Sequence, residues 1–138
     1  MNPISSTPAD LAPLRFPLSG SRLIEASAGT GKTFALAGLF LRLLLEEKVP
    51  ASAILVVTFT EAATAELRDR IRRRLSEALA VLEGKPTKDP LLSALASHVE
   101  GRLEAATRSL RNALEIFDLI SIYTIHGFCQ RTLQDSAF

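Results

Sequence analysis

Apolar positions along the chain follow three patterns, and each pattern predicts one kind of element. From Thr33 to about Glu47 the apolar residues lie on all sides of a helical axis, which predicts a helix packed between a sheet and other elements. From Glu61 to Glu83 they recur every three or four positions, which predicts a longer helix with one buried stripe. The continuous β-branched and aromatic run AILVVTFT, residues 53–60, predicts a strand buried on both faces of a parallel sheet.

The remaining segments complete an alternation of strands and helices. The run RLIEA, residues 22–26, predicts a first strand that ends at a glycine-rich loop. Residues 91–114 have a helical pattern with a break at Gly101. The run FDLISIYTI, residues 117–125, predicts a third strand, and HGFCQRTLQ, residues 126–134, begins a last helix. Because strands separated by helices form parallel sheets with crossover helices, this order predicts an α/β fold.

Length and composition limit the chain to one folded domain. It has 138 residues, of which 47% are hydrophobic and 22% charged. Its net charge of +1 does not by itself indicate a nucleic-acid partner. The Pro- and Ser-containing residues 1–13 predict a flexible arm, which leaves residues 14–138 for the domain. There is no signal-peptide pattern and no membrane-length apolar run, and a single cysteine, Cys129, fits a reducing compartment. We therefore expect a cytoplasmic location and no membrane partner.

A phosphate-binding loop is the clearest chemical signal in the chain. The stretch ASAGTGKT has the Walker A spacing, with alanine at the first position in place of glycine. Gly29 and Gly31 allow backbone amides to turn towards phosphates, and the following helix adds its dipole. Lys32 would contact the β- and γ-phosphates and Thr33 would bind Mg²⁺, so these two residues are the catalytic candidates. The full candidate ATP site consists of Ala26, Ser27, Ala28, Gly29, Thr30, Gly31, Lys32 and Thr33.

Two other interpretations of this loop are weaker. A glycine-rich turn between a strand and a helix can bind nothing at all, but the complete spacing between a predicted strand and a predicted helix argues against that alternative. A dinucleotide-binding turn requires a third glycine, and GTGKTF ends in Phe34 instead. Phosphate loops occur in many classes of enzyme, so the loop alone does not identify the reaction.

The end of the second predicted strand carries Thr58, Phe59 and Thr60, at the sheet edge where ligands bind in parallel sheets. Two hydroxyls beside an aromatic ring suit a single-stranded nucleic acid with one base stacked on the ring. The alternative is structural: Thr60 caps the next helix, Glu61 occupies its first turn and Phe59 lies in the core. The residues alone leave both interpretations open.

The end of the third predicted strand repeats this arrangement in TIHGFCQ, residues 124–130. Thr124, His126 and Phe128 would lie at the same edge of the sheet as the first two segments. A lone histidine is more often structural than functional, so this segment also keeps a structural alternative.

Together, ASAGTGKT, TFTEAATAELRDRI and TIHGFCQ resemble motifs I, Ia and Ib of superfamily 1 DNA helicases of the UvrD/RecB type, over about Leu14 to the C-terminus. The resemblance implies a P-loop NTPase fold, namely part of the first RecA-like domain of a motor that uses ATP and Mg²⁺ to move along DNA. By position it implies DNA contacts for Thr58, Phe59, Thr60, Thr124, His126 and Phe128. For RecB-type members it further implies a helicase and exonuclease subunit in double-strand break repair and recombination, with RecC- and RecD-like partner subunits.

One part of the ATPase chemistry has no candidate in the sequence. A phosphate-loop ATPase needs an acidic residue at the end of another strand, but Asp118 lies at the start of its predicted strand and Glu46-Glu47 close a helix. The resemblance also implies a second RecA-like domain and a separate nuclease domain, neither of which these 138 residues include, so we expect no unwinding and no nuclease activity from this chain alone. One hypothesis is a fragment of a helicase–nuclease subunit whose coding sequence continues past Phe138. The alternative is a free-standing nucleotide- or DNA-binding module without catalysis.

A cluster of arginines in LRDRIRRR has a less specific interpretation. Arg72, Arg73 and Arg74 are successive residues, each turned about 100° from the one before it on a helix, so they do not share one face. The sequence favours a solvated helix surface on which Glu77 forms occasional ion pairs with them.

Overall fold

The structure, a computed structural model, describes residues 16–24 and 31–137. The predicted arm, residues 1–13, lies outside these ranges. In the described part seven helices and strands follow each other: α1 Lys32–Leu45, β1 Leu55–Thr58, α2 Glu61–Leu82, α3 Pro90–His98, α4 Leu103–Glu115, β2 Ser121–Thr124 and α5 Ile125–Ser136. Their order confirms the predicted α/β class, and the break near Gly101 is a 3-10 turn at Glu100–Arg102 between α3 and α4.

The sheet is parallel, as predicted. Strand β1 pairs with β2 so that Leu55 lies opposite Ser121 and Thr58 lies opposite Thr124. The described part of the sheet has two strands rather than the three expected. Residues 22–24, the start of the first predicted strand, have no regular structure, and residues 25–26 lie outside the described ranges. The third predicted strand also begins later than expected, because Phe117–Leu119 forms a 3-10 turn before β2.

Helix α2 lies at the centre of the core and packs against α1, α3, α4 and both strands. The predicted apolar stripe is confirmed, since Leu67, Ile71 and Leu75 are all buried. Burying a side chain of this size contributes roughly 1.5–3 kcal/mol. The stripe therefore holds the helical layer and the sheet together.

Strand β1 is not buried on both faces, so that prediction was wrong. Leu55 and Val57 remain 47% and 44% exposed, whereas Ile54 is buried and Val56 is half-buried. Successive side chains of a strand point to opposite faces of the sheet, and the described helices cover only one of the two. The continuous apolar run thus belongs to a strand with one covered face.

A buried arginine inside the apolar helix α1 anchors the segment that precedes it. Arg42 donates from Nε to Glu46 Oε1 over 2.8 Å and from Nη2 to Glu46 Oε2 over 2.9 Å. Its Nη1 donates to the Phe16 carbonyl over 2.6 Å. These charge-assisted bonds compensate the burial of the charge and attach Phe16 to α1. Among the residues that the structure describes, no helix has the length and apolarity to cross a bilayer.

Candidate functional site

The described part of the phosphate loop is its junction with α1. Gly31 adopts a left-handed conformation with φ of 88°, and no atom lies within 4 Å of the position that a Cβ would take there. Helix α1 begins at Lys32, whose side chain is exposed, and Thr33 is half-buried. The other candidate residues of the loop, 26–30, lie outside the described ranges, so their roles stay predictions.

The start of α1 differs from the starts of three other helices. Thr60, Asp89 and Thr124 each accept hydrogen bonds from backbone amides in the first turns of α2, α3 and α5. Gly31 has no side chain with which to do so. The first amides of α1 therefore need acceptors from elsewhere, which is the usual situation at a phosphate-binding helix terminus.

The hydroxyls at the end of β1 hold the local structure together. Thr60 Oγ1 accepts a bond from the Ala63 amide at 3.0 Å, which is the helix cap expected under the structural alternative. Thr58 Oγ1 lies 2.5 Å from Thr64 Oγ1, which also donates to the Thr60 carbonyl. Thr58 and Thr60 thus stabilise the turn between β1 and α2.

The aromatic ring between these two threonines has a different environment. Phe59 is 89% exposed, so the alternative that placed it in the core was wrong. It follows the last paired residue of β1 and precedes the cap of α2, at a turn that no described part of the core covers. A large apolar side chain exposed to this extent is available to a planar partner such as a base.

The end of β2 has the same construction. Thr124 is buried, and its Oγ1 accepts a bond from the Gly127 amide at 3.0 Å. A Cβ at Gly127 would lie 3.0 Å from this oxygen, so glycine leaves room for the cap. His126 is exposed and Phe128 is half-buried. Because Thr58 lies opposite Thr124, the structure brings both predicted segments to one edge of the sheet.

Beside this edge lies an open cleft of about 520 Å³ between α2 and α5, which the sequence analysis missed. The cleft contains two arginines, Arg68 from α2 and Arg131 from α5, together with Tyr123 from β2. Helical spacing is the signal that could have indicated it. The lining residues recur every three or four positions on each helix, at Glu61, Thr64, Ala65 and Arg68 in α2 and at Gly127, Gln130, Arg131 and Gln134 in α5.

The arginine run of α2 does not form one solvated face. Arg72 and Arg73 are exposed, as expected, and the Arg72 guanidinium lies 5.4 Å from the centre of the Phe117 ring. Arg74 is only 4% exposed, which contradicts the prediction. Arg74 lies within the packed core, where it donates hydrogen bonds to two acidic side chains. One is Glu77, as predicted, and the other is Asp89.

Among the described residues, acidic side chains do not cluster at the carboxyl ends of β1 and β2. Asp118 lies in the turn before β2, at the opposite end from Thr124, as the sequence predicted. Glu46 follows the last residue of α1 and pairs with Arg42. Within the described ranges, no three side chains of histidine, cysteine, aspartate or glutamate form a group that could hold a metal ion.

Comparison with known proteins assigns the chain to a family. Residues 7–138 match the UvrD/REP helicase N-terminal domain. Over 98% of its length the chain is 46% identical to the RecBCD enzyme subunit RecB of Escherichia coli, and over 93% it is 42% identical to that of Haemophilus influenzae. It spans about 12% of the length of these relatives. The helicase resemblance predicted from the three motifs is thus confirmed, and the chain belongs to the UvrD/REP helicase N-terminal domain family.

Proposed function

We propose that this chain is the ATP-binding segment of a DNA motor subunit, with residues 26–33 as the nucleotide site. The support comes from the junction at Gly31, where a left-handed, open glycine precedes a helix whose first turn no side chain of the described residues caps. Backbone amides of such a turn suit the oxygen atoms of phosphates. Lys32 would balance phosphate charge, and the Thr33 hydroxyl is an oxygen ligand of the kind that Mg²⁺ accepts.

The DNA part of the proposal rests on one observation, the 89% exposure of Phe59 at the carboxyl edge of the sheet. The hydroxyls of Thr58, Thr60 and Thr124 are engaged in local hydrogen bonds, so stacking on the ring is the stronger source of affinity. His126, exposed just after the end of the neighbouring strand β2, adds a polar group at the same edge of the sheet. Phe128 is half-buried and contributes less surface to a bound strand.

The whole subunit, in this proposal, is an ATP-dependent helicase and exonuclease that acts in double-strand break repair and recombination with RecC- and RecD-like partners. The 46% identity to the RecB subunit of Escherichia coli supports it.

We further propose that this chain alone does not turn over ATP productively. In the described residues, the carboxyl end of β2 is Thr124. The acidic residue nearest to this strand in the sequence, Asp118, precedes the strand and so lies at its opposite end. DNA-stimulated ATP hydrolysis by the purified chain that is lost in Lys32→Ala would contradict this part.

The nucleotide site is tested by titrating ATP into the chain and into Lys32→Ala, with and without Mg²⁺. Loss of a charge-assisted bond to phosphate costs about 1.5–3 kcal/mol, so affinity should fall about ten- to hundredfold. Lys85→Ala is the matched control, since Lys85 is exposed in the loop after α2. Equal ATP affinity in the wild type and Lys32→Ala would remove the phosphate-loop assignment.

The DNA site is tested with a fluorescent single-stranded oligonucleotide and the variant Phe59→Ala. Stacking of a base on an aromatic ring contributes about 1–3 kcal/mol, which predicts a roughly five- to hundredfold weaker complex. Leu119→Ala is the matched control, because Leu119 is an apolar residue 78% exposed in the turn before β2, at the other end of that strand. If both variants bind like the wild type, Phe59 does not lie on the DNA track.

A further inference from the structure

The cleft between α2 and α5 has the composition of an anion site. It presents one arginine from each helix, Arg68 and Arg131, and its volume of about 520 Å³ leaves room for a phosphate group with its sugar. Neither arginine was among the residues that the motifs assign to DNA. Because the two arginines lie beside the ends of the strands, a ligand bound at that edge could interact with both charges.

Both guanidinium groups are oriented by contacts that leave their charge uncompensated. Arg68 donates from Nη2 to the Ile122 carbonyl over 2.7 Å, which uses one of the five N–H donors of a guanidinium. Arg131 lies over the Tyr123 ring with 5.3 Å between the guanidinium carbon and the ring centre. Within residues 16–24 and 31–137, no carboxylate forms a salt bridge with either arginine. Two oriented positive charges therefore lie open to an external anion.

The other lining residues fit a polar ligand of modest size. Ala65 and Gly127 have small or no side chains, which allows a ligand to approach the helix backbones. Gln130 and Gln134 offer amide groups that can donate or accept. Glu61 is the one carboxylate in the lining, so two positive charges outweigh one negative charge.

We propose that this cleft binds a phosphodiester group of the DNA strand that passes over Phe59, with Arg131 and Arg68 as the donors. The proposal rests on the DNA function proposed above and assigns the backbone contact of the same strand. The planar fork of arginine matches the oxygen atoms of a phosphate. A base is a poorer occupant, because one face of Tyr123 is already covered by Arg131. Phe59 and the cleft are joined by the first turn of α2, so one strand can reach both.

The test is the salt dependence of single-stranded oligonucleotide binding by Arg131→Gln. Each phosphate contact releases counterions from a single strand, so losing one should reduce the slope of log affinity against log salt by about 0.7. Arg73→Gln is the matched control, since Arg73 is exposed on α2, carries the same charge and does not line the cleft. Arg131 is exposed, so the variant should keep the circular dichroism spectrum and thermal midpoint of the wild type. Equal slopes in Arg131→Gln and Arg73→Gln would overturn the proposal.

A second variant and a second ligand separate DNA phosphate from nucleotide phosphate. Arg131→Lys should keep the slope but bind more weakly, because a lysine retains the charge and loses the fork. The affinity of Arg131→Gln for ATP should equal that of the wild type. A variant that loses ATP affinity while it keeps the full salt slope for DNA would assign the cleft to the nucleotide and contradict the proposal.

Failure of this inference is distinguishable from failure of the proposed function. If Phe59→Ala weakens DNA binding but Arg131→Gln keeps the wild-type slope, the strand passes Phe59 without entering the cleft, and the phosphate assignment is wrong. If the wild-type chain does not bind the oligonucleotide at all, the DNA function and the cleft assignment fall together.

Discussion

Two arginines six residues apart on α2 have opposite environments. Arg68 is half-buried at the open cleft and gives one hydrogen bond to the Ile122 carbonyl. Arg74 is 4% exposed and bonds through Nη1 to Asp89 over 2.7 Å and to Glu77 over 3.1 Å. Both belong to the same basic run, LRDRIRRR, so residue type and helical spacing do not separate them. The elements that pack against each turn of α2 decide which arginine is structural and which is available to a ligand.

The environment of Arg74 explains why its acidic partners matter. Its guanidinium carbon lies 5.0 Å from the centre of the Phe34 ring, and its Nε and Nη2 are buried without a hydrogen-bond partner in the described residues. Desolvation acts to lower the pKa of Arg74, but the hydrogen bonds and charges of Asp89 and Glu77 outweigh it and raise the pKa. The charge is thus retained in the interior by Nη1 and its two carboxylates.

Removing the main partner of Arg74 should give the largest loss of stability. Asp89→Ala leaves a buried charge with Glu77 alone, and breaking such a pair costs about 3–5 kcal/mol. The same change removes the cap of α3, where Asp89 Oδ1 accepts from the Leu91 and Leu92 amides at 2.9 and 3.1 Å. Loss of a cap contributes about a further 1 kcal/mol. Urea unfolding monitored by circular dichroism measures the sum.

The matched control is an ion pair with the same charges on the surface. Glu104 and Arg108 pair at 3.0 Å on α4, and their side chains are 90% and 74% exposed. Glu104→Ala should change the free energy of unfolding by no more than about 0.5 kcal/mol, because solvent screens such a pair. Similar losses of unfolding free energy in Asp89→Ala and Glu104→Ala would show that burial does not make the ion pair of Arg74 more important for stability than the exposed pair of Arg108.

The sequence predicted the elements well where local chemistry decides the structure. Helix α2 begins and ends within one residue of its predicted bounds, because Thr60 caps one end and the apolar stripe continues to Leu82. The parallel pairing follows from the helices between the strands. The sheet edge that carries Phe59 and His126 could therefore be assigned from motif order, before any coordinates were known.

The sequence-based predictions of burial were wrong where an element distant in the sequence determines the environment of a side chain. The burial of Arg74 depends on α1 and α3, and the exposure of Leu55 and Val57 depends on the face of the sheet that the described helices leave uncovered. Neither is a property of the local sequence. The cleft between α2 and α5 was missed for the same reason, since its two arginines lie 63 positions apart and meet only through packing on β2.

A smaller effect sharpens the contrast between the two arginines, namely the pH dependence that Asp89 gives to folding. Desolvation acts to raise the pKa of Asp89, but bonds from Arg74 and the Leu92 amide outweigh it and hold the pKa below its ordinary value of 3.8. A carboxyl group whose pKa is lowered by folding stabilises the folded state above its unfolded pKa, and this stabilisation is lost as pH falls through the folded value.

Asp89→Asn isolates this contribution, because asparagine keeps an oxygen for the cap of α3 and removes the charge. At neutral pH the variant should be less stable than the wild type, by less than Asp89→Ala is. Below pH 3.8 the difference should begin to shrink, because the carboxyl group of the unfolded wild type takes up a proton there. The loss is complete only once pH has fallen through the lower pKa of the folded protein, where the wild-type carboxyl group is protonated as well. Thermal unfolding of both proteins at several acidic pH values measures this difference. A gap that stays constant as pH falls would mean that the charge of Asp89 does not hold Arg74 in the core, and the contrast with Arg68 would then have to rest on packing alone.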